Sequence, residues 1–118
     1  MAFHINQARR AHGLPPLRRS RSLAGSARVF SRHLVATRRF AHAARIHTSS
    51  RFRQRGEILA NLGGHRWDRA RTVRMWLNSP PHRAVILSRN FRYLGAGRTA
   101  GRLGYGPATV WVVHFGSP

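Results

Sequence analysis

The sequence predicts an α+β fold: an α-β-α sandwich in which a small antiparallel sheet is flanked by helices, rather than a parallel sheet. Three observations carry this. Apolar residues recur at helical spacing through the first third of the chain. The last quarter reads as a hairpin, with VWVVHF (110–115) as its strongest strand. The length of 118 residues with 42% hydrophobic content supplies one domain with one core, without staples.

The elements follow in order. FHINQARRAH (3–12) places Phe3, Ile5 and Ala8 near one helical face, Gly13 is a natural stop, and Pro15-Pro16 prevents continuation. Ser20 or Ser22 caps a second helix whose apolar positions, Leu23, Ala27, Phe30 and Leu34, step by four, three and four. Residues 38–56 read as a strongly basic loop. GEILANLGG is short and apolar and ends in a Gly-Gly break. Asp68 caps a third helix with Ala70, Val73, Trp76 and Leu77 inward. A Ser79-Pro80-Pro81 turn separates it from a short helix, HRAVIL. The hairpin runs from Tyr93 to Phe115, with residues 101–107 as its loop. GAGRTAG (95–101) lacks both the spacing of a dinucleotide fingerprint and the Lys-Ser/Thr of a P-loop, and reads as strand and turn.

Every one of the 22 basic side chains is Arg, against two carboxylates, for a formal charge of +20. Such self-repulsion lowers stability, and salt or a polyanion raises it. An anionic partner is one reading; a compositional bias is the other, since the arginines are scattered rather than grouped in one tract. With no Cys, disulfides and thiolate chemistry are excluded. No apolar run approaches the roughly 18 residues of a membrane span. No basic n-region followed by an apolar h-region opens the chain, so a signal peptide is not expected in it. The chain begins almost inside its first helix, and the reading is of one domain, 1–118, without a leader and trimmed at its N-terminus.

INQARRAHGLPPL (5–17), FAH (40–42), GEIL (56–59), MWLNSPPHRAVIL (75–87), FRYLGAG (91–97) and WVVHFG (111–116) follow one another in an order that resembles the bacterial branch of the CAP superfamily. This group includes cysteine-rich secretory proteins, venom antigens and plant pathogenesis-related proteins. The resemblance covers essentially the whole chain, and WLNSPPHRAVIL is its most specific element. It implies a CAP-type α-β-α sandwich with a cleft where two histidines and acidic residues meet. Carried over by position, His42 takes the Phe-x-His place, Glu57 the Gly-Glu place and His82 the Pro-x-His-Arg place. The chain departs from the pattern at Ala8, Ala41, Ile58 and Ser79. His47 rivals His42, because HTS (47–49) echoes a family motif; His42 is preferred because Phe40 precedes it in the family phase.

His42, Glu57 and His82 admit three chemistries. Two imidazoles and a carboxylate form a set of ligands for zinc or another divalent metal, with water completing the shell. They equally form a proton-transfer set. They also form a buried polar network that ties helices to the sheet and catalyses nothing. A Ser-His-Asp triad would need Asp68, which more simply caps a helix, and Ser79 is a turn serine before it is a nucleophile. With no second carboxylate nearby, glycosidase-type acid–base pairs are not expected. Trp76 and Trp111 fit core phase, Trp67 is a further candidate platform, and His4, His12, His33 and His65 read as solvated. His114 belongs to the sheet's second face or to the cleft.

The leading functional reading is a non-enzymatic binding domain that, by family resemblance, is extracellular or cell-wall associated and takes a lipid-like ligand or an anionic polymer. The alternatives are an Arg-rich polyanion-binding module, with nucleic acid bound only through non-specific electrostatics, and a metal-dependent hydrolase.

Overall fold

The computed structural model describes residues 1–64 and 68–118. Four helices surround a four-stranded sheet: α1 (Ala2–Ala11), β1 (Arg18–Arg19), α2 (Arg21–Thr37), β2 (Gln54–Gly63), α3 (Arg69–Leu77), α4 (Pro80–Ile86), β3 (Tyr93–Leu103) and β4 (Gly106–Ser117). The sheet order is β1-β3-β4-β2. It is antiparallel except at β1, whose two residues pair parallel with Tyr93 and Leu94.

Alternation along the strands divides the core into two layers. Ile58, Ala60, Trp111, Val113 and Phe115 face one way and pack with Ile5, Val73, Trp76 and Ile86 of α1, α3 and α4. Leu59, Val110 and Val112 face the other way and pack with Ala27 and Leu34 of α2. This is the expected sandwich: period-2 side chains place alternate residues of each strand under opposite helical layers. Trp76 and Trp111 are both buried, as their core phase requires. Trp67 and His65 lie outside the described residues.

Local chemistry sets the helix boundaries. Ser20 accepts a hydrogen bond from the Leu23 N–H at 3.2 Å and Asp68 one from Arg71 N–H at 3.1 Å, each capping its helix. Gly13, at φ +72°, ends the α1 region in the left-handed conformation that glycine adopts without strain.

Several sequence-based expectations are corrected. Phe3 is 61% exposed while Ile5 is buried, because two residues along a helix turn about 200° and put them on opposite sides. Arg9 takes the inward position one turn on. Pro80 and Pro81 are not a separating turn: they open α4, where their missing N–H groups would be unsatisfied anyway. β2 starts at Gln54, three residues before Glu57, inside what reads as loop. The hairpin loop is shorter than 101–107, because β3 and β4 pair up to Leu103 and Gly106. In α3, Thr72 is buried alongside Val73 and Trp76, whereas Ala70 and Leu77 are half-buried.

The glycines of GAGRTAG serve helix–sheet packing. A Cβ on Gly95 would lie 1.9 Å from Ala24 N, and one on Gly97 would lie 2.3 Å from Arg28 N. The α2 backbone therefore rests directly on β3.

Candidate functional site

The site is organised around Glu57. The β2–β4 register sets Glu57 opposite His114, and both point to the α2 face of the sheet, in phase with Leu59 and Val112. Glu57 Oε2 accepts from His114 Nε2 at 2.7 Å, and Oε1 accepts from the Ala43 N–H and from His42 Nδ1, both at 2.9 Å. Burial pushes the Glu57 carboxyl up and is the largest single effect. The hydrogen bonds from His114, Ala43 and His42, with the His114 charge, together hold it below its ordinary value.

The segment carrying His42 is irregular but fastened. Ser22 Oγ meets Thr48 Oγ1 at 2.5 Å and accepts from the Ser49 N–H at 2.7 Å. Arg55 donates to Ile46 O at 2.6 Å, Phe52 O at 2.7 Å and Ser49 O at 3.3 Å. The arginine of RGEIL therefore clamps the loop that delivers His42 to the glutamate of the same stretch.

His42 is 65% exposed by side chain, and His82 is half-buried. Both line one cleft of about 310 Å³, with Ser79, Phe40, Met75 and Trp76 among its walls. His82 Nδ1 lies 2.7 Å from Ser79 Oγ, a pairing within the first turn of α4. Burial, and after it the His42 charge, lower the His82 pKa. Glu57 is not among the residues lining this cleft: it stands behind His42. The structure thus brings His42 and His82 to one cleft and His42 to Glu57, while the second imidazole on the carboxylate is His114. Among the described residues, no group of three His, Cys, Asp or Glu is arranged to hold a metal ion. His47 lies elsewhere, on a separate pocket.

That pocket, of about 740 Å³, lies between α2 and the 43–47 segment. Gly25, Ser26, Val29 and Phe30 form its helical wall, and His114 also lines it. His114, 1% exposed, stacks on Phe30 at 6.3 Å and sets Nδ1 2.7 Å from Ser26 Oγ. A continuous hydrogen-bonded chain, Ser26–His114–Glu57–His42, therefore joins this pocket to the cleft. Sequence reasoning did not find Ser26 or tie His114 to Glu57. The signal for His114 is the strand register, which a single sequence does not display.

The model of the CAP, cysteine-rich secretory protein, family matches residues 3–115. Comparison with curated proteins gave no match. Among solved structures, an outer surface protein of Borrelia burgdorferi is similar at TM-score 0.77 and 22% identity, over 98% of this chain and 88% of that one. An extracellular protein containing an SCP domain from Bacillus anthracis is similar at TM-score 0.74 and 23% identity, over 97% of this chain and 38% of that one. A cysteine-rich secretory protein of Staphylococcus aureus is similar at TM-score 0.64 and 21% identity, over 97% of this chain and 36% of that one. The chain thus spans little more than a third of the latter two proteins.

Proposed function

The chain belongs to the CAP, or cysteine-rich secretory protein, family, and from that membership and the geometry of the cleft we propose that it is a non-enzymatic extracellular binding domain. Its ligand cleft is built on His42 and His82, with Glu57 orienting His42 from behind. The observation that carries this reading is the engagement of both Glu57 oxygens by the protein's own donors. Three protein donors occupy its two oxygens, so it is not a free acid or base for substrate. A metal-dependent hydrolase would need such a group near the cleft, and the Ser79–His82 pair has no carboxylate orienting its imidazole among the described residues.

The same bonding sets what His42 offers. An ionised carboxylate only accepts, so Nδ1 carries the proton toward Glu57, and Nε2 of the neutral ring keeps its lone pair. Zinc or another divalent cation takes imidazole nitrogens as ligands, and His42 and His82 would offer it two, with the remaining positions left to water or ligand. It would supply a Lewis-acidic anchor for an anionic group of that ligand. A secreted location is supported by the descriptions of the Borrelia and Bacillus proteins as outer surface and extracellular. No helix among the described residues is long and apolar enough to cross a membrane.

A second reading rests on the larger pocket. Its roughly 740 Å³, its wall of Gly25, Val29 and Phe30, and the 62% exposure of Val29 suit a lipid-like chain. Exposed arginines stand on all four helices and on β1 and β3, an even spread that favours compositional bias over a dedicated polyanion face.

Thermal melts with zinc and with chelator test the cleft reading. Zinc should raise the melting temperature of the wild type and not that of a His42→Ala/His82→Ala variant. An equal rise in both proteins would place zinc elsewhere and remove the cation from the proposal.

A further inference from the structure

Arg9 is 1% exposed, and a guanidinium does not escape burial by losing its proton. It donates from Nε to Pro15 O at 3.0 Å and from Nη1 to Ile86 O and Ser88 O, each at 2.8 Å. These are carbonyl partners only. The chain's two carboxylate side chains are used elsewhere, Glu57 on its histidines and Asp68 as the α3 cap. Arg9 opens onto a pocket of about 520 Å³ that Arg18, Arg89 and Arg92 also line, with Phe91 and Tyr93 beside them. The fold fixes this grouping: the Arg18 N–H donates to Arg92 O at 2.8 Å where β1 joins the sheet, and Arg9 is tied to the 86–88 turn that precedes Arg89. Arg51 stacks on the Tyr93 ring at 4.8 Å and brings a fifth cation close. No ion pair involves any of the four lining arginines among the described residues. Burial, and after it the Arg89 charge, lower the Arg9 pKa, as crowding of like charges requires.

Four guanidinium groups around one polar pocket repel one another, and among the described residues none of them has an ion-pair partner. We propose that this pocket is an anion site for a phosphate monoester, whose dianionic phosphoryl group is held by Arg18, Arg89 and Arg92 above Arg9 and whose organic part lies against Phe91 and Tyr93. A carboxylate fills one guanidinium fork, whereas a phosphoryl group presents three acceptor oxygens and twice the charge to several forks at once. The organic part has the aromatic surface that free phosphate cannot use. The site shares no residue with the cleft or the α2 pocket, so the proposal stands independently of the ligand-binding readings above.

Isothermal titration with phenyl phosphate and with inorganic phosphate, at constant ionic strength, tests it. Three proteins are compared: wild type, Arg89→Gln/Arg92→Gln, and Arg28→Gln/Arg102→Gln, which removes the same charge from exposed positions outside the pocket. Arg9 is left intact because its carbonyl bonds hold α1 in place. Phenyl phosphate should bind saturably with one site, more tightly than inorganic phosphate, and about tenfold or more weaker in the pocket variant than in the control variant. Equal weakening in both variants would reduce the effect to the general field of a +20 protein and overturn the site. Tighter binding of inorganic phosphate than of phenyl phosphate would overturn the ester assignment, and absence of saturable binding would overturn both.

Discussion

Glu57 has a side chain only 6% exposed, in a chain with 22 basic residues, and three donors keep it ionised against the cost of burial. Its folded-state pKa lies below the unfolded value of about 4.3. It therefore contributes stability that is present above the unfolded value and lost as pH falls through the folded one. Glu57→Gln keeps the shape but replaces a three-way acceptor by an amide with two donors of its own. The expected cost at pH 7 is about 1–3 kcal/mol, read by denaturant unfolding, and it should shrink on acidification below about pH 4. A cost that is the same at pH 3 and pH 7 would detach it from the carboxylate's charge. At His82 the fold favours the neutral form rather than the charged one, with the same direction of pH dependence. Its lowered pKa means that the unfolded chain takes up the proton first as pH falls. Stability should therefore drop as pH falls through about 6.5 toward the folded value, and His82→Gln should remove that component of the pH profile. At this scale the motifs pointed to His42, Glu57 and His82 as candidates, and the pairing of His42 with Glu57 is one that position alone could suggest. His114 was not legible, because its partner is chosen by a cross-strand pairing that links residues 57 apart in the chain. Ser26 sits at an unremarkable helical position and meets His114 only across the packed α2–sheet interface.

The elements follow from local signals where those are strong, and only from pairing where they are weak. Helices α2 and α3 were legible because four-three spacing and a capping Ser or Asp coincide. The two residues of β1 carry no periodicity at all and exist because Arg18 and Ser20 N–H groups find the Arg92 and Leu94 carbonyls. Gln54 and Arg55 look like loop but are held in β2 by their β4 partners, Ser117 and Gly116. The glycines of β3 read as strand and turn; residues 95–101 are all strand, and Gly95 and Gly97 let a helix approach. Gly97→Ala should destabilise by about 3 kcal/mol or more, since its Cβ would strike the α2 backbone, which has nowhere to move. Gly101→Ala should cost less, because the atoms nearest its Cβ belong to the Val35 side chain, at 2.3 Å, and a side chain can rotate away. Chemical denaturation of both variants checks the order. A Gly101→Ala cost equal to or above that of Gly97→Ala would mean that α2 is free to slide on the sheet.

At the scale of the whole molecule, a formal charge of +20 is spread over a surface of 7084 Å². Neighbouring charges lie within a few Debye lengths, so raising sodium chloride from about 50 to 200 mM should raise the melting temperature. Any binding of random-sequence DNA should show no base preference and weaken steeply over the same range. The sandwich itself was legible, because helical phase early and strand phase late leave few ways to layer one core. Where the cleft sits within it was not, since His42 comes from an irregular segment and His82 from a short helix that no pattern brings together. In the proposed cleft, His42 and His82 act as one ligand pair while Glu57 serves from behind. Isothermal titration of zinc at pH 7.5 into wild type, His42→Ala, His82→Ala and Glu57→Gln addresses this directly. One saturable site is expected in the wild type, with its loss in either alanine variant and about 10- to 100-fold weaker binding in Glu57→Gln, the usual effect of removing a partner that orients a ligating imidazole. Undiminished zinc affinity in His42→Ala or in His82→Ala would contradict it.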